Sequence, residues 1–246
     1  MNLSGNTILV TGGASGIGLA LAKRFLDRGN EVIVCGRREE RLKQVRDELP
    51  DIKTYVCDVS DTSERENLVR WVTSEFPTIN VLVNNAGIQR RVDLTSEEDW
   101  ERTRSEIEIN LDAPIHLTQL FYRHFAQRER AAFMNVTSGL SFMPLANVPV
   151  YCATKAALHS FTLSLRWQLM ESHIRVIEII PSAVDTDLQA PGLHKFGVNV
   201  DEFADHVFEE IEKGSIEIAY GSAHAASQAS RETLDAIYQN MNSSFH

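Results

Sequence analysis

The sequence has few cysteines, and it lacks the spacings at which cysteine usually carries structural chemistry. Its 246 residues include only Cys35, Cys57 and Cys152. The odd count, the lack of a Cys-x-x-Cys pair and the lack of a nearby histidine pair at zinc-ligand spacing argue against a disulfide framework and a structural metal. We therefore expect free thiols in a reducing compartment and no metal site.

Long apolar runs and excess positive charge are also missing. No apolar run approaches the ~18 residues that span a bilayer, and the first six residues contain no basic region followed by an apolar stretch. The net charge is −10, from 24 Lys and Arg against 34 Asp and Glu. Because nucleic acids and anionic membranes attract basic surfaces, we expect no nucleic-acid partner, no membrane insertion and a cytoplasmic location.

The residues that are present fit one packed domain. Hydrophobic residues make up 43% of the chain, which is enough for a core and excludes intrinsic disorder. No repeat and no linker rich in Pro, Gly or Ser divides the chain, so we expect one domain over residues 1–246. Residues 222–246 are rich in Ala, Ser, Gln and Asn. We interpret them as a C-terminal tail, either a weak helix or a loose segment, or as an arm that contacts a partner subunit.

Short β-branched segments alternate with longer amphipathic segments along most of the chain. Most short segments are continuously apolar, as strands covered on both faces are. The predicted strands are 7–10, 31–35, 54–57, 81–83, 132–136, 175–180 and 215–220. The predicted helices are 16–28, 38–48, 62–75, 97–127, 151–172 and 201–213. This alternation predicts an α/β fold with a doubly wound parallel sheet of about seven strands and helices on both faces.

A glycine-rich turn lies between the first predicted strand and the first predicted helix. It reads Thr11-Gly12-Gly13-Ala14-Ser15-Gly16-Ile17-Gly18. Glycines let the backbone approach a pyrophosphate, and the helix N-terminus presents free N–H groups to it. The turn lacks the Gly-Lys-Ser/Thr of triphosphate loops, which disfavours a kinase or a GTPase. The predicted dinucleotide contacts are Gly12, Ser15, Gly16, Ile17 and Gly18.

Arginines follow the second predicted strand, where NAD-dependent enzymes place a carboxylate. Arg37 and Arg38 occupy this place, and a guanidinium suits a 2′-phosphate. We predict NADP(H) rather than NAD(H), with Arg37 favoured as the contact, since Arg38 equally suits the start of a charged helix. Asp58, after the third predicted strand, either accepts from the adenine amino group or caps the next helix.

Three polar side chains lie where the crevice of such a sheet opens. Ser138 follows the fifth predicted strand, and Tyr151 and Lys155 are four residues apart on the next helix, so they share a face. A phenol titrates near ~10, and a neighbouring ammonium favours the phenolate and lowers that pKa. Together with the glycine turn, these residues predict hydride exchange with a nicotinamide and proton exchange with Tyr151. Ser138 then holds the substrate oxygen.

Five motifs, in order and spacing, resemble the short-chain dehydrogenase/reductase family from about residue 5 to residue 190. They are Thr11-Gly12-x3-Gly16-Ile17-Gly18, Asn84-Asn85-Ala86-Gly87, Asn110, Ser138 and Tyr151-x3-Lys155. The resemblance implies a single Rossmann-type domain of seven parallel strands. It also implies that the Tyr is the acid/base, the Lys lowers its pKa and holds the nicotinamide ribose, the Ser orients the substrate, and the Asn supports a water in a proton relay. These roles map onto Tyr151, Lys155, Ser138 and Asn110.

The same resemblance extends to further cofactor positions. The Asn84–Gly87 segment, through Asn84 and Ala86, resembles the part that stabilises the sheet and lines the adenosine ribose. The family's Pro-Gly after the sixth strand is Pro181-Ser182 here, which leaves the shape of that turn open, while Val184 and Thr186 match the positions that hold the nicotinamide carboxamide. Residues 84–90 and the glycine turn are also similar to a bacterial oxidoreductase subgroup named for its association with D-alanylation of teichoic acids.

The sequence gives fewer predictions for the substrate-binding side of the crevice. Arg90 and Arg91 either receive an anionic substrate group or, as we favour, are solvated loop charges. Gly192 and Gly197 bracket 193–196, which is either a mobile lid or an ordinary surface loop. The family resemblance suggests a homodimer or homotetramer through the two long central helices, although burial within a monomer would give the same pattern of small residues.

The leading hypothesis is an NADP-dependent oxidoreductase that interconverts a small-molecule carbonyl and a secondary alcohol, with Tyr151 as general acid/base. The alternative is a non-catalytic dinucleotide-binding sensor or scaffold, for which no acid/base tyrosine is needed. A third possibility is an epimerase or dehydratase on the same fold, which would return the hydride to its substrate and give no net cofactor oxidation.

Overall fold

One parallel sheet of seven strands forms the centre of the molecule, in the order β3-β2-β1-β4-β5-β6-β7. The computed structural model describes residues 2–97, 99–188, 192 and 195–243. The strands are β1 (Thr7–Thr11), β2 (Glu31–Gly36), β3 (Lys53–Val56), β4 (Ile79–Asn84), β5 (Ala131–Val136), β6 (Ile174–Ile180) and β7 (Glu217–Ala219). The order reverses at β1, which confirms the predicted doubly wound sheet. In such a sheet, ligands bind at the carboxyl ends of the strands beside this reversal.

Helices cover both faces of the sheet. They are α1 (Gly16–Asp27), α2 (Glu39–Glu48), α3 (Thr62–Glu75), α4 (Trp100–Ile107), α5 (Ala113–Phe125), α6 (Pro149–Gln168), α7 (Val200–Lys213), α8 (Ser222–Ser227) and α9 (Arg231–Asn242). Successive strand residues point to opposite faces. On β1, Ile8 and Val10 therefore join a core under α1, α2 and α7, whereas Leu9 joins a second core under α3, α5 and α6.

The helix predicted over 97–127 is interrupted in the structure. A π-helical turn, Glu108–Asp112, separates α4 from α5. Pro114 lies in the first turn of α5 and has no N–H with which to continue the i→i−4 ladder, so the backbone widens just before it. This turn contains Asn110, which makes the interruption part of the candidate site.

The C-terminal segment is helical where the structure describes it, since α8 and α9 occupy most of the predicted tail; residues 244–246 lie outside the described part. Within the described ranges, no helix is long and apolar enough to cross a bilayer, and no three His, Cys, Asp or Glu side chains are grouped as a metal site. The three cysteines are buried and free.

Candidate active site

The glycine turn leaves no room for side chains against the loop after β4. A Cβ added at Gly18 would lie 2.3 Å from Asn85 Nδ2, and one added at Gly12 would lie 2.9 Å from the Cα of Ala86. Gly12 also has a φ of +65°, which side-chain-bearing residues rarely adopt. Both positions therefore require glycine for the turn to pack against this loop, while their contacts with a dinucleotide stay a prediction.

Asn85 holds the glycine turn in place through hydrogen bonds, although the sequence analysis did not predict a role for it. Its Nδ2 donates to the carbonyl of Thr11 at 2.9 Å, and the backbone N–H groups of Asn85 and Ala86 donate to Thr11 Oγ1, each at 3.0 Å. Asn84 is instead 2% exposed and donates to Asn135 Oδ1 at 2.9 Å. Its side chain thus stabilises the sheet from within, while its neighbour in the same motif shapes the crevice.

The N-terminus of α1 is open to an anion. Ser15 precedes the helix in an extended conformation, its side chain makes no capping hydrogen bond, and the first turn contains no acidic residue. Gly16 lies against Thr186, whose Cγ2 would be 3.3 Å from an added Cβ. Uncapped N–H groups and an uncompensated helix dipole suit a pyrophosphate. The residues present therefore fit a bound dinucleotide.

The two arginines differ in position. Both side chains are exposed, but Arg38 Nη2 donates to Ser15 Oγ at 3.2 Å and so reaches the glycine turn. The structure brings Arg38 to the turn, although the sequence favoured Arg37. Asp58 accepts from the backbone N–H of Ser60 at 3.0 Å and from its hydroxyl at 2.7 Å. The residue that caps α3 is Asp61, so the capping alternative for Asp58 is wrong.

Ser138, Tyr151 and Lys155 come together beside the carboxyl end of β5. Lys155 Nζ lies 5.7 Å from the centre of the Tyr151 ring and donates to the carbonyl of Val136 at 2.8 Å. Ser138 lies beside the Tyr151 hydroxyl and opposes the rise of the Tyr151 pKa, and its own Oγ accepts from the Leu140 N–H at 3.1 Å. All three are buried, with exposed fractions of 4–7%. The i, i+4 spacing on α6 thus produces the predicted common face.

The ionisation of this group differs from the expectation. Burial raises the pKa of Tyr151 to about 12, against the opposing effect of Ser138. Burial also lowers the pKa of Lys155 to about 8. The sequence analysis expected a lowered tyrosine pKa, but a phenolate loses more hydration here than its neighbours restore. Tyr151 therefore carries its proton at neutral pH, the state required to protonate a carbonyl oxygen.

Asn110 connects the loop after β4 to α6. Its Oδ1 accepts from the Ile88 N–H at 2.9 Å, and its Nδ2 donates to the Ile88 carbonyl at 2.8 Å and to Thr154 Oγ1 at 3.2 Å. A Cβ at Gly87 would lie 3.4 Å from Asn110 Oδ1 and 3.6 Å from Lys155 Nζ. Asn110 is thus adjacent to Lys155, while its predicted part in a water relay stays a prediction.

The turn after β6 forms in spite of the serine at its second position. The carbonyl of Pro181 accepts from the N–H of Gly139 at 2.9 Å, and Ser182 packs beside Gly221. Val184 is buried and forms an isolated parallel bridge with Val198. The predicted lid over 193–196 includes residues 193 and 194, which lie outside the described part of the chain.

The predicted substrate-side arginines are not equivalent. Arg90 Nη1 donates to Ser105 Oγ at 2.6 Å and also to the carbonyl of Arg102, so it is bound to α4 rather than solvated. Arg91 is exposed, as a solvated charge would be. Arg90 therefore departs from the interpretation that the sequence favoured.

A contact from the C-terminal helix reaches the substrate-side loop after β5. Asn242 Oδ1 accepts from the Ala146 N–H at 2.6 Å, and its Nδ2 donates to the carbonyl of Pro144 at 3.1 Å. On the α6 side of this loop, Cys152 Sγ accepts from the Leu145 N–H at 3.2 Å. Sequence reasoning missed Asn242, because a lone asparagine in a polar tail carries no signal.

Comparisons with known proteins agree with this geometry. A family model described as short chain dehydrogenase matches residues 6–195. The uncharacterized oxidoreductase DltE of Bacillus subtilis (strain 168) is 46% identical over 248 residues, covering 98% of each chain. The NADP-dependent 3-hydroxy acid dehydrogenase YdfG of Salmonella typhi is 35% identical over 181 residues, covering 72% of each.

Among solved structures, a short chain dehydrogenase from Burkholderia cenocepacia J2315 in complex with NADP matches with a TM-score of 0.84. It is 27% identical, and the match covers 97% of this chain and 99% of that one. Sequence, fold and site therefore agree: the chain belongs to the short chain dehydrogenase family and is an NAD(P)-binding oxidoreductase.

Proposed function

We propose that this protein is an NADP(H)-dependent oxidoreductase that interconverts a carbonyl and a secondary alcohol, with Tyr151 as general acid/base. The observation that carries the proposal is the buried cluster of Ser138, Tyr151 and Lys155 beside a glycine turn that fits a dinucleotide. When bound, the nicotinamide supplies or accepts the hydride.

In the reducing direction, the side chains act on the carbonyl oxygen. Ser138 and Tyr151 are buried side by side, so both hydroxyls can face one substrate oxygen. Tyr151 donates its proton as that oxygen gains negative charge, and the Lys155 ammonium stabilises the phenolate that remains. Lys155 is positioned for this by its bond to the Val136 carbonyl. In the oxidising direction, Tyr151 takes the proton back.

The preference for NADP(H) over NAD(H) rests on the residues that follow β2. This strand ends at Gly36, and Arg37 and Arg38 come directly after it, where a carboxylate would favour NAD. Arg38 already contacts Ser15 of the glycine turn. The NADP-dependent relative and the NADP-bound structure support the same preference. Contacts of Asp58 with adenine, Asn84 and Ala86 with the adenosine ribose, and Pro181, Val184 and Thr186 with the nicotinamide belong to this proposal.

We also propose a homodimer or homotetramer built on α5 and α6. Large apolar side chains face outward on these helices: Tyr122 is 46% exposed, Leu163 is 42% exposed and Trp167 is 74% exposed. Association would remove this surface from water. Sedimentation velocity on the full chain tests the proposal, and a purely monomeric protein at micromolar concentration would contradict it.

The activity is tested by a screen. NADPH oxidation is followed through the reduced-nicotinamide absorption over a panel of ketones and aldehydes, with NADH in parallel. For an active compound, Tyr151→Phe should lower turnover by at least ~10²-fold, the usual contribution of a positioned acid/base, while NADPH binding measured by fluorescence is kept. Unchanged turnover in Tyr151→Phe would show that Tyr151 is not the general acid/base. Tight NADPH binding without turnover of any panel member would favour the sensor or scaffold alternative.

A further inference from the structure

A buried arginine that the proposed mechanism does not use lies against the loop after β3. Arg65, near the start of α3, is 5% exposed. Its four hydrogen bonds within the described part of the chain go to two carbonyls, a hydroxyl and an imidazole, and none of these groups is a carboxylate. Buried arginines are usually paired with a carboxylate, because an unpaired charge is costly to bury. The position of this cation therefore depends on hydrogen bonds to uncharged groups.

Arg65 holds the backbone of the loop after β3. Its Nη1 donates to the carbonyl of Val59 at 2.5 Å and to the carbonyl of Ser60 at 3.0 Å. The loop begins at Cys57, whose N–H donates to the carbonyl of Gly36 at 3.0 Å, so it lies next to the end of β2. One side chain thus fixes two consecutive carbonyls of a loop at the carboxyl edge of the sheet.

The loop that Arg65 holds carries Asp58, the proposed acceptor for the adenine amino group. The N–H and the hydroxyl of Ser60 both donate to Asp58 Oδ1, at 3.0 Å and 2.7 Å. The other carboxylate oxygen, Oδ2, accepts no hydrogen bond from the described part of the chain, so it is free to accept one from a base. Since Ser60 is bonded to Arg65 through its carbonyl and to Asp58 through its N–H and hydroxyl, the place of this carboxylate depends on Arg65.

His116, on α5, fixes the guanidinium itself. Arg65 Nε donates to His116 Nδ1 at 3.0 Å. An arginine can only donate hydrogen bonds, so Nδ1 is the acceptor and His116 is neutral with its proton on Nε2. Burial, together with the charge of Arg65, lowers the pKa of His116 and so favours this neutral form. The guanidinium is thus held between α5 and the loop after β3.

We propose that Arg65, oriented by His116, is a positioning residue that sets the selectivity of the cofactor site for adenine. It acts through Ser60, which fixes Asp58. This inference rests on the proposed contact of Asp58 with adenine. Without the guanidinium, the carbonyls of Val59 and Ser60 are free to turn towards water, and Asp58 Oδ2 is no longer held in one place.

The selectivity between two bases tests the proposal without a substrate. NADPH and its hypoxanthine analogue, in which an oxo group replaces the adenine amino group, are each titrated by nicotinamide fluorescence. The unaltered protein should bind NADPH about tenfold more tightly, because the analogue lacks a hydrogen bond to a charged acceptor. In Arg65→Met, which keeps an apolar stem, this ratio should fall to about threefold or less. The ratio does not depend on how much of the protein is folded, so a merely structural role would not change it.

Variants at His116 separate the hydrogen bond from the space that the side chain fills. His116→Leu has no acceptor and should lower the ratio as Arg65→Met does. His116→Asn keeps an oxygen acceptor near the place of Nδ1 and should keep the ratio. Arg70→Met, at an exposed position on α3, makes the same charge change as Arg65→Met and should also keep it. His116→Leu replaces Arg65→Met if that variant does not fold.

The outcomes separate this inference from the proposed function. An unchanged ratio in both Arg65→Met and His116→Leu overturns the inference and leaves the oxidoreductase proposal intact. Equal affinity of the unaltered protein for the two cofactors overturns the proposed contact of Asp58 and, with it, the inference about Arg65. A protein that binds neither cofactor contradicts the proposed function itself.

Discussion

The two sides of the crevice are built in different ways. On the cofactor side, backbone and asparagine contacts hold the glycine turn so tightly that an added Cβ at Gly18 would overlap Asn85. On the substrate side, Glu106, Ser141 and Asn147 each keep a buried polar atom without a hydrogen-bond partner in the described part of the chain. The glycine turn is held by the protein's own contacts, although the start of α1 has no side-chain cap and Asn84 Oδ1 has no hydrogen-bond partner in that part of the described chain. On the substrate side it is the buried side chains around the catalytic group that keep polar atoms the fold does not satisfy.

The largest effect on activity is expected at Lys155, where the cofactor side and the substrate side of the crevice meet. Lys155→Met removes the ammonium 5.7 Å from the Tyr151 ring, and with it the charge that stabilises the phenolate. We expect kcat/KM to fall by about 10²-fold or more. Lys53→Met, at the exposed first residue of β3, is the matched control. Activity of Lys155→Met within a few-fold of the unaltered protein would show that the reaction does not depend on this cation.

The rigidity of the cofactor side is tested by Gly18→Ala. The added methyl group would lie 2.3 Å from Asn85 Nδ2 and 2.6 Å from the Gly12 carbonyl. Such overpacking should lower the free energy of unfolding by about 1–3 kcal/mol, measured by urea denaturation. At Gly87 the nearest atom to an added Cβ is 3.4 Å away. Equal losses in Gly18→Ala and Gly87→Ala would mean that the turn is not constrained by Asn85.

The choice of cofactor is tested at the two arginines. Arg37→Ser and Arg38→Ser should each weaken NADPH binding about tenfold and leave NADH binding unchanged, because a charge-assisted bond to a phosphate is lost. Arg41→Ser, farther along the exposed face of α2, controls for net charge. Binding is measured by fluorescence titration. A loss at Arg38 alone would agree with its contact to Ser15, and a parallel loss of NADH affinity would show that the arginines do not read a 2′-phosphate.

How far apart in the chain the contacting residues lie explains which features the sequence predicted. The doubly wound parallel sheet of seven strands and most helix bounds follow from period and composition, because parallel strands covered on both faces are continuously apolar. The glycine turn and the Tyr151–Lys155 face follow from local geometry. Each of these features depends on residues close together in the chain.

The features that were missed depend on distant neighbours. The choice between Asn84 and Asn85 is decided by Thr11 and Asn135 on neighbouring strands. The pKa of Tyr151 was expected to fall, but burial by the whole fold raises it. Asn242 meets a loop almost a hundred residues earlier. Packing between distant segments of the chain cannot be predicted from a short sequence motif.

A partly buried pair, His159 on α6 and Glu178 on β6, should give a smaller effect that depends on pH. His159 Nδ1 lies 2.9 Å from Glu178 Oε1, and Thr137 Oγ1 donates to the same oxygen at 2.7 Å. The hydrogen bond to Glu178 raises the pKa of His159. The stabilisation is therefore complete below the unfolded pKa of about 6.5 and is lost as pH rises through the folded value.

We expect His159→Gln to cost about 1 kcal/mol of unfolding free energy at about pH 6 and much less at about pH 9. Urea denaturation at both pH values measures this difference. His224→Gln, at an exposed position on α8, should show no such difference. A cost for His159→Gln that is the same at both pH values would mean that the histidine contributes packing against Phe142 and no ion pair.

The smallest effect is expected at the C-terminal helix, where Asn242 holds the loop over the substrate side. Asn242→Ala removes the hydrogen bonds to Ala146 and Pro144, while Cys152 still holds Leu145 from the α6 side. Since the loop loses this attachment but keeps those through Cys152 and the Val92 N–H, and the catalytic side chains are untouched, KM should rise about threefold to tenfold with kcat unchanged. Asn240→Ala, exposed on the same helix, should change neither constant. A fall in kcat for Asn242→Ala would instead show that the loop positions Tyr151. The substrate-side loop would then contribute to the chemical step as well as to substrate binding.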